Sequence, residues 1–213
     1  MSNLNFKEGF ELCLINSYKI YESACLISEN GNFGLACSLN ILSAEEAVKA
    51  SWLKAKSLGH EIPEDNFRKM FSQHTFKHNI LQILMDGYDK YMTSINGGLK
   101  EREKYIEVVR NMPQEDVPKN IRDAMPRLDE LKKLSDKYIE TKIKVDDLFK
   151  WLQEANNTKN NGLYVGIHQK KQWRTPQNFS AESYEISKKY ALETIKMVEL
   201  LAEIEEEFTN KNS

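Results

Sequence analysis

The chain has 213 residues, of which 29% are charged, and a formal net charge of -2. This length suits one sizeable hydrophobic core, and no apolar run approaches the roughly 18 residues of a membrane-spanning helix. The near-neutral charge excludes a global electrostatic footprint for nucleic acid, so a nucleic-acid contact needs a local basic patch. No secretory signal pattern is present, and the three cysteines favour reduced thiols, so we expect a cytoplasmic protein without membrane contact.

The first sixty residues have the pattern of a helical hairpin. Apolar residues recur at three- and four-residue steps from Asn5 to Glu29, which predicts a long helix. The glycines and asparagine of Gly31–Gly34 then predict a tight reversal. The next helix should therefore run back antiparallel to the first.

The returning helix, Leu35–Leu58, is apolar on most sides except for Glu45, Glu46 and Lys49. At helical spacing Glu46 and Lys49 continue a stripe of leucines, and an ionised glutamate in a core is costly unless it is paired. Lys49 is one candidate partner, since it lies three residues after Glu46 and four after Glu45. The alternative is a half-exposed helix whose Glu and Lys are solvated.

A short helix is expected to follow Gly59, to begin near Pro63, and to turn three apolar side chains inward: Phe67, Met70 and Phe71. A third long helix is predicted from Thr75 to Ile95 and is expected to end at the glycines of Asn96–Gly98. Three prolines that forbid a continuous helix then follow: Pro113, Pro118 and Pro126. We expect a mobile, charged excursion from Arg110 to Pro126 and a mostly solvated helix from Leu128 to Thr141.

In the last third, a short helix is predicted from Val145 to Ala155, and the asparagine run 156–162 is expected to break it. An extended or turn segment then leads into the basic loop HQKKQWRTPQ, residues 168–177. The last helix has a clear beginning, with Ser180 as N-cap and Phe179 and Tyr184 placed as a hydrophobic staple.

Few residues are candidates for chemistry, because the sequence lacks a Gly-rich phosphate loop, a CxxC pair, an HExxH pattern and a serine nucleophile elbow. What remains is a basic, imidazole-bearing and phenolic set: Arg68, His74, Lys77, His78, Lys159, Tyr164, His168, Lys170, Lys171 and Arg174. His74 and His78 are four residues apart, but no third metal ligand is evident, so no metal site is expected. An ordinary polar helix start is the alternative interpretation of His74 and Lys77.

Three short motifs occur in a set order along the chain: AEEAVK (Ala44–Lys49), HTFK (His74–Lys77) and GLYV (Gly162–Val165), followed by Trp173 and Pro176. These segments resemble the AbiV type of bacterial abortive-infection protein, within the HEPN-like group of small helical nucleases and defence proteins. The similarity spans most of the chain apart from the proline-rich excursion.

The resemblance implies an all-α, antiparallel helical bundle of HEPN-like type. It implies a single domain over residues 1–213, with a helical, proline-containing insertion at about 100–145. It also implies a homodimer with composite sites that shuts down an infected cell by acting on RNA or on translation. HEPN nucleases commonly carry an arginine, a gap of four to six residues and a histidine, which Arg68 and His74 match.

The resemblance also selects a site for metal-independent RNA cleavage, without a cofactor. In that site His74 would be the base or acid, Lys77 and Arg68 would supply positive charge, and Glu46 would orient His74 or a cation. The expected substrate contacts are Lys49, His78, Lys159, Tyr164 and Arg174.

The leading hypothesis is a dimeric anti-phage toxin, an endoribonuclease held quiet until a phage-encoded component activates it. One alternative is a non-catalytic helical module that blocks translation by binding the ribosome, a translation factor or a phage protein. Another is a small-molecule or nucleotide-binding protein whose polar pocket contains Glu46, Lys49, His74 and Lys77. The sequence leaves the partner of Glu46 open.

Overall fold

The computed structural model of the chain describes residues 4–141, 145–167 and 173–211. Within these ranges the chain forms seven α-helices: α1 (Phe6–Glu29), α2 (Phe33–Ser57), α3 (Glu64–Ser72), α4 (His74–Asn111), α5 (Lys119–Thr141), α6 (Val145–Leu163) and α7 (Ala181–Lys211). Two strands of two residues each, β1 (Gly166–Ile167) and β2 (Trp173–Arg174), pair antiparallel between α6 and α7. The predicted all-α fold class is confirmed.

The chain divides into two compact units. The first contains Met1–Ile83 and Asp146–Ser213, and the second contains Leu84–Val145. The organisation as one domain with an insertion at about 100–145 stays a prediction. In the part of the chain that the structure describes, no helix combines the length and hydrophobicity that a membrane crossing requires.

The first unit is built around α2, which packs against both α1 and α7. Fourteen of its 25 residues are buried, and most of them are small, which lets the neighbouring helices approach closely. Gly9 of α1 lies against Leu53, and the Ser43 hydroxyl donates a hydrogen bond of 2.7 Å to the carbonyl of Ser17. Gly31 in the connection has a φ of +74°, in the left-handed region that favours glycine. The predicted antiparallel hairpin is therefore confirmed.

The predicted start of α7 is also confirmed. The Ser180 hydroxyl accepts a hydrogen bond of 3.2 Å from the backbone N–H of Ser183, as an N-cap does. Phe179 packs against the buried cluster that contains Tyr184. The local signals of the sequence were sufficient here because both contacts lie within one helical turn.

Two predicted helix boundaries were wrong because local breakers were given too much weight. α4 continues through Gly97 and Gly98 to Asn111, since a helical glycine lowers stability by only about 1 kcal/mol. α5 contains Pro126 within it, so of these three prolines only Pro113 and Pro118 lie outside helices. The region expected to be an irregular excursion is partly helical.

The asparagine run does not break α6, which continues to Leu163. The reason is a tertiary contact, because Gly162 packs directly on α2. A Cβ added at Gly162 would lie 2.1 Å from the carbonyl oxygen of Gly34 and 2.3 Å from Oγ of Ser38. Burial of this glycine against α2 outweighs the weak helix propensity of the asparagines.

The predicted inward face of α3 is correct for two of its three residues. Phe67 and Met70 are buried, whereas Phe71 is 46% exposed. Phe71 lies at the edge of the inward face, one residue beyond Met70 and so about 100° further around the helix.

The close approach at Gly162 leads to a stability prediction. We expect Gly162→Ala to lower the free energy of unfolding by about 1–3 kcal/mol or more, because the new methyl group would meet a backbone carbonyl. The matched control is Gly97→Ala, also within a helix, where nothing lies within 4 Å of the added Cβ. That change should raise stability by roughly 0.5–1 kcal/mol. Urea unfolding of both variants measures this, and a destabilisation of equal size in the two would contradict it.

Candidate functional site

Glu45 is a buried carboxylate, 3% exposed, with four nitrogen-bearing side chains around it. Its Oε1 lies 3.0 Å from Nζ of Lys159 and 3.0 Å from Nε2 of His78. Its Oε2 lies 3.6 Å from Nζ of Lys77 and makes a hydrogen bond with Nδ1 of His74. We call these five residues the Glu45 cluster.

The first turn of α4 supplies three members of the cluster. His74, Lys77 and His78 are spaced by three and four residues, so they share one face of the helix. That face is turned toward Glu45 of α2. The predicted pair His74 and Lys77 is therefore brought together at one carboxylate.

The register between α6 and α2 positions the fifth member, Lys159. The carbonyl of Lys159 accepts a hydrogen bond of 2.9 Å from the hydroxyl of Ser38. Gly162, three residues further along α6, makes the close contact with α2 described above. The same side of α6 therefore provides the packing contact and the ammonium group that reaches Glu45.

The cluster keeps Glu45 ionised. Burial by itself raises the pKa of a carboxyl group, but here hydrogen bonds from His78, His74 and Lys159 outweigh burial and lower the pKa of Glu45 to about 2. Because an ionised carboxylate only accepts hydrogen bonds, His74 donates through Nδ1. The interior of this unit thus holds a full negative charge at neutral pH.

The pKa of Lys77 is also lowered, but for a lysine this disfavours the charged form. Burial lowers the pKa of its ammonium group below the usual range, and the like charge of Lys49 adds to this effect. The attraction of Glu45 opposes both without reversing them. Glu45 is therefore the main group that stabilises the charged form of Lys77.

His74 is the one member of the cluster that solvent reaches readily. Its side chain is 46% exposed, whereas those of Lys77, His78 and Lys159 are 7%, 11% and 5% exposed. Since Nδ1 is bound to Glu45, Nε2 is the ring nitrogen left for an external group. A buried carboxylate that fixes the tautomer and orientation of an accessible imidazole is suited to general acid–base chemistry.

Glu46, which was predicted to orient His74 or a cation, lies outside the cluster. It forms an ion pair with Lys49, and the two side chains are 15% and 17% exposed. The carboxylate that contacts His74 is its neighbour Glu45. The leucine stripe that leads to Glu46 is the less buried side of α2, and adjacent residues differ by about 100° around a helix.

A sequence signal for Glu45 existed. Ser38, Ile41, Glu45 and Val48 follow helical spacing, and all four are buried. This face consists of small and β-branched residues that pack closely. Choosing this face in place of the leucines would have selected the carboxylate that contacts His74.

The remaining predicted site residues lie elsewhere or stay untested. Arg68 forms an ion pair of 2.6 Å with Glu64, and both side chains are mostly exposed. Tyr164 follows α6 and is 65% exposed, and Arg174 lies in β2. The basic-loop residues 168–172 lie outside the described residues. Lys159 and His78, expected as substrate contacts, are buried on Glu45.

Within the described ranges, no group of three or more His, Cys, Asp and Glu side chains could hold a metal ion. At Glu45 the two lysines occupy positions around the carboxylate that a cation would need. The donor set of the cluster therefore resembles an acid–base site more than a metal site.

Comparison with known proteins assigns the chain to a protein family. The family model HEPN_AbiV, described as AbiV, matches residues 5–201. The chain belongs to the AbiV family of HEPN proteins. No curated protein and no solved structure matches the chain significantly.

AbiV membership confirms the resemblance found in the sequence, and it indicates an abortive-infection, HEPN-type function. All five members of the Glu45 cluster lie within the matched range. The cluster is thus part of the AbiV-like region of the chain.

The burial of Glu45 predicts a large effect of removing its charge from this AbiV-family chain. Glu45→Gln should lower the free energy of unfolding by about 3–5 kcal/mol, because Lys77 and Lys159 would be left buried without a counter-charge. The matched control is Glu46→Gln, one residue away, which should lower the free energy of unfolding by less, because Glu46 has a single ion-pair partner that keeps some contact with solvent. Urea unfolding at neutral pH compares the two, and a similar loss in both would argue against a central role for Glu45.

A pH dependence follows from the lowered pKa of Glu45. Its pKa falls from 4.5 to about 2 on folding, so its contribution to stability is complete above pH 4.5 and is lost as the pH falls toward 2. The shift corresponds to a loss on the order of 3 kcal/mol. Unfolding measured from pH 6 downward should show this loss in the wild type and a shallower slope in Glu45→Gln. Parallel curves for the two proteins would contradict it.

Proposed function

We propose that this AbiV-family chain is an anti-phage toxin that cleaves RNA, with His74 as its catalytic acid–base group. The observation that supports this is the accessible imidazole of His74, bound through Nδ1 to the buried, ionised carboxylate of Glu45. In this proposal Glu45 takes the orienting role that the sequence analysis gave to Glu46.

The reaction is an internal transesterification of RNA. Nε2 of His74 takes the proton of a ribose 2′-hydroxyl, and the 2′-oxygen attacks the adjacent phosphorus. The new bond joins O2′ to phosphorus, and the bond from phosphorus to O5′ breaks. The imidazolium then returns its proton to the leaving 5′-oxygen. The products are a 2′,3′-cyclic phosphate and a 5′-hydroxyl, with no net proton, electron or metal consumed.

The buried members of the cluster are positioning residues in this scheme. Lys77, His78 and Lys159 keep Glu45 ionised and fixed, and Glu45 in turn fixes the imidazole. Two ammonium groups against one carboxylate also leave an excess of positive charge behind His74. That charge favours the dianionic phosphorane that forms during attack.

The cellular role belongs to the same proposal. The protein would act as a cytoplasmic homodimer that stays quiet until a phage-encoded component activates it, and cleavage of RNA would then shut down translation. Arg68, Lys49, Tyr164 and Arg174 would contact the RNA.

His74→Ala tests the proposal directly. Bacteria that express the wild-type protein should accumulate RNA fragments with new 5′-hydroxyl ends on phage infection, uninfected cells should show few, and His74→Ala should produce none in either condition. The variant should fold normally because its side chain is half exposed. The matched control is His60→Ala, an exposed histidine outside the cluster, which should cut like the wild type. Cleavage by the purified protein should persist in EDTA.

Two results would contradict the nuclease. Full toxicity of both His74→Ala and Lys77→Ala would show that the toxic activity does not depend on the Glu45 cluster. Arrested growth with intact RNA would favour the alternative in which a non-catalytic module blocks translation by binding the ribosome, a translation factor or a phage protein.

A further inference from the structure

Phe71 is an aromatic side chain that the fold leaves 46% exposed at the end of α3. Its ring lies against the buried ring of Phe67, with 5.1 Å between the centroids. Nζ of Lys49 lies 5.9 Å from the centroid of the Phe71 ring, at the outer limit of a cation–π contact. The ring is thus anchored on one side and flanked by the ammonium group of Lys49, which also forms the ion pair with Glu46.

The backbone positions of Phe71 and His74 lie close together. Phe71 precedes His74 by three residues, and three residues span at most about 11 Å even when fully extended. Gln73 between them adopts an extended conformation, with φ -120° and ψ 115°, where α3 ends and α4 begins. Lys49 is near both the Phe71 ring and the Glu45 cluster. Its Nζ lies beside the ring, and its charge also lowers the pKa of Lys77.

A single exposed apolar side chain is common on protein surfaces and needs no function. Phe71 differs in its surroundings. An aromatic face beside a lysine is the combination by which proteins bind unpaired nucleic-acid bases, the ring stacking on the base and the cation binding the backbone. Here that combination lies within a few residues of the proposed catalytic group.

We propose that Phe71 stacks on an unpaired nucleobase of the RNA while Lys49 contacts an adjacent phosphate. The inference rests on the proposed function and narrows its substrate to single-stranded RNA, cut within one or two nucleotides of the stacked base. Bases within a duplex present no free face to such a ring, so paired RNA is a poor substrate.

The first experiment compares three purified variants on a short oligoribonucleotide, either single-stranded or annealed to its complement. Phe71→Leu keeps an apolar side chain on Phe67 but removes the aromatic face, and it should lower kcat/KM on the single strand by about 5- to 150-fold. Phe71→Trp should keep the activity. Leu26→Ala, an exposed apolar residue of α1, is the matched control and should leave it unchanged. The duplex should be cut poorly by all of them.

The second experiment measures stacking without cleavage. In a His74→Ala background, Phe71→Trp adds an exposed indole, and the single strand should quench more fluorescence than in His74→Ala alone. Thermal unfolding of each variant shows that the fold is retained.

The outcomes separate this inference from the proposed function. If His74→Ala is inactive while Phe71→Leu cuts like the wild type, or if the duplex is cut as well as the single strand, the stacking inference is wrong and the nuclease stands. If the wild type cuts neither RNA even when it is purified from phage-infected cells, the proposed function fails, and the absence of additional quenching would overturn the stacking inference as well. Loss of activity in Phe71→Leu, with recovery in Phe71→Trp and quenching by the single strand, supports it.

Discussion

The negative charge of Glu45, buried in the interior, is the interaction on which the rest of the first unit depends. One carboxylate receives side chains from the first turn of α4 and from the last turns of α6, which are far apart in the sequence. An ionised group in a protein interior is strongly unfavourable unless its partners are in place, and buried ammonium groups have the same requirement. The three helices therefore stabilise one another electrostatically as well as by packing.

Helix packing and site geometry are linked through small residues. Gly34 makes room for the backbone of Pro176, and Gly162 allows the backbones of α2 and α6 to come closer than any side chain would permit. This contact fixes the register in which Lys159 reaches Glu45 and Ser38 reaches the carbonyl of Lys159. A site of this kind belongs to the core, because the spacing of the helices is what sets its distances.

Much of the fold could be predicted from the sequence because its signals are local. The hairpin of α1 and α2 and the cap of α7 depend on contacts within a few residues, and the pair His74 and Lys77 shares one helical turn. The lengths of α4 and α6 could not be predicted in the same way. At Gly162 an apparent helix breaker is a packing residue, and only the position of α2 reveals this.

The contact of His74 with Glu45 rather than with Glu46 could not be predicted for a related reason. Leucine is the usual mark of a buried helix face, so the stripe that contains Glu46 looked like the core. In α2 the closest contacts are made by glycine, alanine and serine, and the leucine side is partly exposed. Burial in a closely packed bundle follows the distance between helices as much as side-chain hydrophobicity.

The charge balance of the cluster connects the local structure with the overall composition. With a net charge of -2, the chain has no general attraction for nucleic acid, so an RNA site requires positive charge in a confined place. Two buried lysines against one carboxylate provide that excess, and solvent reaches it chiefly through His74. Since charges behind a partly buried surface are screened less than exposed ones, their field acts mainly at the imidazole. In the proposed nuclease, this arrangement would favour a phosphodiester at the point where His74 is accessible, without a large basic surface elsewhere.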